Sequence, residues 1–139
     1  MARTTFSGPV VSQNGFIQGH QPTSANAVNT TGTATAAQVA DGYITSTSVG
    51  TVTITLPTGT DLGTALGASR GTVLDLFVDN TAGASVVTIA ANTNAVLSSA
   101  GVDSAGSFGD LTIAAGATGL ARFTLMFSSA TAYTFSRTA

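Results

Sequence analysis

The chain contains one histidine, His20, set in a polar stretch beside Gln21 and Pro22. A Ser–His–Asp arrangement needs that imidazole held between a nucleophile and a buried carboxylate. No carboxylate lies near it in sequence, and no G-x-S-x-G elbow is present. His20 is therefore read as an exposed loop residue. Asp75 and Asp79 are the best candidates for a carboxylate pair. Four residues apart on a strand they share a face but sit roughly 13 Å from each other, too far for glycoside hydrolysis. Asp79 with Asn80, and the region 103–110, offer oxygen ligands without the spacing of a calcium loop. The glycines at 59, 63, 67 and 71 lack the Gly-Lys-Ser/Thr ending of a phosphate-binding loop, because the chain has no lysine. With no cysteine there is neither a thiolate metal site nor a disulfide. Asn29-Thr30-Thr31 matches a glycosylation sequon but follows no apolar signal segment. The expectation is a protein that is not an enzyme and takes no metal or cofactor.

Charge points the same way. Asp, Glu, Lys and Arg make up 7% of the 139 residues, where soluble domains average roughly 25%. The charges are Arg3, Arg70, Arg122 and Arg137 against Asp41, Asp61, Asp75, Asp79, Asp103 and Asp110, a net −2. Nucleic acids and anionic membranes are bound through clustered Lys and Arg, so neither is an expected partner. A surface so poor in charge is either covered by other subunits, since interface cores are depleted in charge, or simply neutral and hydroxyl-rich; the first is the expectation. The longest apolar run, residues 120–127, is interrupted by Arg122 and is far too short to span a bilayer. Synthesis in a cytoplasm is expected.

The elements that would carry these residues are strands. Thr51-Val52-Thr53-Ile54-Thr55-Leu56 alternates hydroxyl and aliphatic side chains and stops at Pro57, a half-buried strand with Val52, Ile54 and Leu56 inward. Residues 43–49 form a weaker strand before it. Residues 72–78 form another, with Leu74, Leu76 and Val78 on one face and Val73, Asp75 and Phe77 on the other. A turn over residues 79–83, with Asn80 and Gly83 accommodating left-handed backbone, leads into residues 85–90 as a hairpin partner. Short strands are expected at 95–98 and 108–113. Residues 120–127 and 132–137 form a terminal hairpin carrying much of the aromatic content, with Ala121, Phe123, Leu125 and Phe127 on one face and Leu120, Arg122, Thr124 and Met126 on the other. A glycine at every fourth position argues against a helix over 57–71; a loop with no more than one turn, around residues 62–66, is predicted.

Residues 1–40 are rich in Thr, Ser, Asn, Gln and Gly and poor in large aliphatics. Val10-Val11-Ser12-Gln13, Asn14-Gly15 and Phe16-Ile17-Gln18 fit one short hairpin; the remainder reads as an extended arm. The predicted organisation is thus an N-terminal arm, 1–40, and an all-β domain, 41–139, built as a single antiparallel β-sandwich or small barrel. Arg3, Phe6, Phe16 and Ile17 in the arm, and Arg122 and Arg137 on facing strands of the terminal hairpin, are the candidate interface residues. Apolar side chains in a segment without a core of its own must pack on the domain or on a neighbour, and Arg is enriched at interfaces.

The opening Met1-Ala2-Arg3-Thr4-Thr5-Phe6-Ser7-Gly8-Pro9-Val10, the Asn14-Gly15-Phe16 that follows, and Thr53-Ile54-Thr55-Leu56-Pro57, Phe77-Val78-Asp79-Asn80-Thr81-Ala82-Gly83 and Val87-Thr88-Ile89-Ala90 resemble small virion β-proteins of tailed bacteriophages, including those of cyanobacteria and other aquatic bacteria. The resemblance covers most of the chain. It implies a capsid decoration, or cement, protein on the outside of the virion: a homotrimer that clamps adjacent subunits of the major capsid protein, often through an N-terminal arm. A head or tail fibre module that touches the host is the alternative implied by the same composition.

Overall fold

The computed structural model describes residues 26–97 and 111–139. Among these residues nine strands and two short α-helices follow one another, with a 3-10 turn at Gly116–Thr118: β1 (Gly32–Thr33), α1 (Ala36–Ala40), β2 (Tyr43–Thr45), β3 (Val52–Thr55), α2 (Gly59–Leu66), β4 (Val73–Asp79), β5 (Val87–Ala90), β6 (Ala95–Leu97), β7 (Thr112–Ile113), β8 (Leu120–Ser129) and β9 (Ala132–Arg137). They build a four-stranded sheet in the order β1-β3-β5-β7 and a five-stranded sheet in the order β2-β4-β8-β9-β6.

The expected all-β character holds, but the plain antiparallel sandwich does not. β1/β3, β3/β5, β2/β4 and β6/β9 are parallel, while β5/β7, β4/β8 and β8/β9 are antiparallel. The cause lies in how the chain is wound. From β1 to β8 each strand enters the sheet that the previous one did not. Along β1 to β5, a chain that reverses into the opposite sheet and reverses again on return runs parallel to the strand it left. Only β8 to β9 turns back within one sheet, as the expected hairpin. The hairpin expected between β4 and β5 is absent for the same reason: the turn after Asp79 carries the chain across to the other sheet.

That crossing is held by Asn80, which is fully buried. Its side-chain amide donates to the carbonyls of Ser85 (2.9 Å), Ala114 (3.0 Å) and Ile113 (3.3 Å). Neither Asn80 nor Gly83 has a positive φ; Asn80 is used as a donor to three carbonyls, not for left-handed backbone.

Inward side chains of both sheets join one core. Val52, Ile54, Val87, Ile89 and Ile113 come from the four-stranded sheet; Ile44, Leu76, Val78, Phe123, Leu125, Phe127, Tyr133 and Phe135 come from the five-stranded one. Tyr133 stacks obliquely on Phe127 at a centroid distance of 5.3 Å, and its hydroxyl donates to the Pro57 carbonyl at 2.7 Å.

Both helices depart from the sequence expectation. α1 opens on a capping box: the Gln38 amide donates to the Thr35 hydroxyl, and the Thr35 amide donates back to the Gln38 side chain. α2 has Thr58 as its N-cap and Gly67 as its left-handed C-cap. The glycines that lowered its predicted stability permit its packing. A Cβ on Gly63 would collide with the Ala130 carbonyl, and one on Gly59 with the Thr131 and Asn94 carbonyls, so α2 lies directly on the β8–β9 turn.

Residues 26–40 are part of this packed structure. β1 pairs with β3, Ala27 bridges to Thr45, and Ala34 and Val39 are buried in the core. The segment expected to be an extended arm up to residue 40 is therefore folded from 26 onward, because its few aliphatics are placed to be buried. Residues 1–25, with the Asn14-Gly15 hairpin, lie outside the described residues, as does the first half of the strand expected at 108–113, whose second half contains β7.

Candidate functional site

The two sheets present different outer faces, one hydroxylic and one mixed apolar and polar. On the four-stranded sheet, Thr53, Thr88 and Thr112 stand side by side across three strands, with Thr33 beside Thr55 in the next row. These side chains are hydroxylic and uncharged.

The five-stranded sheet is different. Its register defines four outward rows. Thr45, Asp79 and Leu120 form the first; Tyr43, Phe77 and Arg122 the second; Asp75, Thr124 and Ser136 the third; Val73, Met126, Thr134 and Val96 the fourth. Outward positions of a sheet facing water are ordinarily polar. Here Val73 is 53% exposed, Met126 55% and Val96 59%, with Leu120, Tyr43 and Phe77 also exposed. No described element covers them. They fall into two groups, Val73 with Met126 and Tyr43 with Phe77, separated by the polar row of Asp75, Thr124 and Ser136, with Val96 set apart from Met126 by Thr134.

The polar groups on this face are mostly tied to the sheet itself. The Asp75 carboxylate accepts from the Thr124 hydroxyl at 2.7 Å. Asp79 accepts from the Tyr43 hydroxyl at 2.7 Å and from the Thr81 hydroxyl and amide. The Thr81 hydroxyl, then Tyr43, hold the Asp79 carboxyl below the ordinary carboxylate range, and the same bond to Asp79 raises the Tyr43 phenol. Arg122 donates through Nε to the Thr138 hydroxyl at 3.1 Å. A depression lined by Thr124, Met126, Thr134 and Ser136 has a volume of about 180 Å³, smaller than the roughly 300 Å³ at which small-molecule pockets begin.

Asp75 and Asp79 share this face but are bound separately and form no pair. Among the described residues no three His, Asp, Glu or Cys side chains gather to hold a metal. The sequon residue Asn29 is occupied with Thr47, accepting from its amide at 2.7 Å and donating to its hydroxyl at 3.1 Å. Arg122 and Arg137 are not side by side. Arg122 is on the outer face, whereas Arg137 pairs with inward Phe123 and donates through Nη1 to the Thr112 carbonyl of the other sheet at 2.9 Å. Arg137 thus ties the two sheets together at their margin. His20, Arg3, Phe6, Phe16 and Ile17 lie outside the described residues.

Sequence reasoning missed the apolar face because alternation separates inside from outside only when the outer set is polar. Val73, Phe77 and Met126 were legible as outward; that Tyr43 adjoins Phe77, and that Val96 shares the Met126 row across Thr134, follows only from strand register.

Comparison with protein-family models, with curated proteins and with solved structures returned no match for this chain.

Proposed function

We propose that this chain is a structural virion protein: a capsid decoration protein that binds the outer surface of the major capsid shell as a homotrimer and stabilises it. The observation that carries this reading is the exposed row of Val73, Met126 and Val96, with Tyr43 and Phe77 beyond Asp75 and Thr124, on a chain whose charged content is only 7%. A protein that works alone in solution keeps such surface small and interspersed with charge. A protein repeated over a shell tolerates it, because each copy hides the face against a neighbour and many modest contacts act together. A closed trimer is one of the symmetric arrangements that conceal such surface without forming open polymers. On this reading the chain is made in the bacterial host cytoplasm and ends on the outside of the capsid.

The test is the copy number of the protein in purified particles, measured by quantitative mass spectrometry against the major shell protein. A ratio near one to one supports a decoration protein. A few copies to some dozens per particle identifies a fibre or spike module. Absence from particles overturns the virion reading.

A further inference from the structure

Apart from Tyr133, the polar side chains buried among the described residues are those of Ser46 and Asn80. Each keeps one oxygen without a hydrogen-bond partner, Ser46 Oγ and Asn80 Oδ1. Buried polar groups are ordinarily paired, and an unpaired one is costly. The two residues are also neighbours. β2 and β4 run parallel with Thr45 beside Asp79. The Ser46 amide donates to the Asp79 carbonyl at 2.8 Å, which in a parallel ladder sets Ser46 beside Asn80. Ile44 and Val78, two residues before them, are in the core, so alternation turns Ser46 and Asn80 to the same inner side.

The surroundings fix what Asn80 can offer. Its Nδ2 faces the carbonyls of Ser85, Ile113 and Ala114. Turning the amide over would set Oδ1 among three other acceptors, so the orientation is settled and Oδ1 remains an acceptor. A Cβ on Gly83 would collide with Oδ1, so a residue without a side chain admits the oxygen there. The Ala84 amide donates to the Ser48 carbonyl at 3.0 Å, which keeps the crossing loop against the chain that follows β2.

These groups select the ligand. It must donate to Asn80 Oδ1 and exchange a hydrogen bond with the Ser46 hydroxyl, which gives or takes one. An anion is repelled by Oδ1. A cation requires about six oxygens, and the nearby carbonyls are already occupied by the Asn80 amide hydrogens. A water molecule both donates and accepts, and two polar partners suffice to hold it. We propose that Ser46 Oγ and Asn80 Oδ1 share one internal water molecule, held where the chain leaves β4 for the other sheet. The water ties β2 to the crossing loop and makes solvent an integral part of the fold. The site does not depend on the decoration reading.

The test is oxygen-17 magnetic relaxation dispersion on the full-length protein, which registers water molecules that stay bound long after the surface has exchanged. It follows the water oxygen, so exchange of the Ser46 hydroxyl proton does not mimic the signal. The parent is expected to show a long-lived water. Ser46→Ala, and Ser46→Cys as a variant closer in size with a weak hydrogen-bonding group, are each expected to lose one such water and to melt at a lower temperature. Thr53→Ala, on the outer face of the other sheet, is expected to retain it. Replacing sodium chloride by choline chloride is expected to leave the parent's thermal midpoint unchanged. A parent with no long-lived water overturns the proposal, and so does an undiminished signal in either Ser46 variant that melts cooperatively. A midpoint that falls by several degrees without sodium also overturns it, in favour of a bound cation. The copy-number measurement on particles is untouched by any of these results.

Discussion

The hydroxyl of Tyr133, buried near the start of β9, donates to the carbonyl of Pro57 at 2.7 Å across 76 residues of sequence. The bond joins the C-terminal hairpin to the loop that opens α2, and it satisfies a polar tip that burial would otherwise leave costly. Burial also pushes the Tyr133 phenol above its ordinary range. Tyr133→Phe keeps the ring and its contact with Phe127 but strands the Pro57 carbonyl. The expected loss is about 1–3 kcal/mol, read from the denaturant midpoint at unchanged slope.

The close approach of α2 to the β8–β9 turn makes a second prediction. Gly63→Ala places a methyl group against the Ala130 carbonyl, whereas a Cβ at Gly32 meets nothing within 4 Å. Gly63→Ala is expected to destabilise the protein by about 1–3 kcal/mol despite alanine's higher helix propensity. Gly32→Ala is expected to stay within about 0.5 kcal/mol of the parent. Equal thermal midpoints for the two variants would refute the packing account of these glycines.

The strands that alternate cleanly, β3, β4, β8 and β9, were legible because one face of each is buried and the opposite parity is visible in the residues. Sheet membership was not. Alternation tells which side of a strand is inward but not which sheet it joins, so β4 and β5 read as a hairpin although they belong to different sheets. The helices were hidden for separate reasons. The Thr35 and Gln38 capping box is present in the sequence, but only Val39 among the α1 residues is a large aliphatic. In α2 the helix-weakening glycines are present for a contact with the β8–β9 turn that no local pattern reports.

The folded status of residues 26–40 yields a third prediction. Val39 is fully buried and β1 is hydrogen-bonded beside β3. Removing residues 1–40 therefore strips a strand, a capped helix and part of the core, and is expected to abolish cooperative unfolding. The point variant Val39→Ala is expected to cost about 2 kcal/mol. A cooperative melt of the 41–139 fragment at the parent temperature would restore the boundary at residue 40.

Tyr43 and Asp79 set a pH window. The folded carboxyl of Asp79 titrates below its ordinary value, so its contribution is present above about pH 4 and lost as pH falls through the folded value. The Tyr43 phenol titrates above its ordinary value, so its contribution is complete below about pH 10 and lost as pH rises through the folded value. Both groups are largely solvated, which limits the bond to under about 1 kcal/mol. Tyr43→Phe is expected to lower stability between these limits and to flatten the acid limb of the stability profile. A profile parallel to the parent's at every pH would remove Asp79 from the account.

The outer face of the five-stranded sheet separates stability from assembly. Val73 and Met126 are cross-strand neighbours, each more than half exposed, so their removal deletes little buried surface. Replacing both by threonine keeps β-branched or strand-compatible side chains at these positions and is expected to change unfolding free energy by less than about 1 kcal/mol. The same double variant withdraws the centre of the apolar row from a partner surface. Truncating a hot-spot residue near the centre of an interface costs about 2 kcal/mol or more, and the loss multiplies over repeated contacts. Attachment to shells lacking the protein, measured by co-sedimentation, is expected to fall at least tenfold. A variant that attaches like the parent, with its fold intact, would move the shell contact off this face and onto other surfaces of the chain.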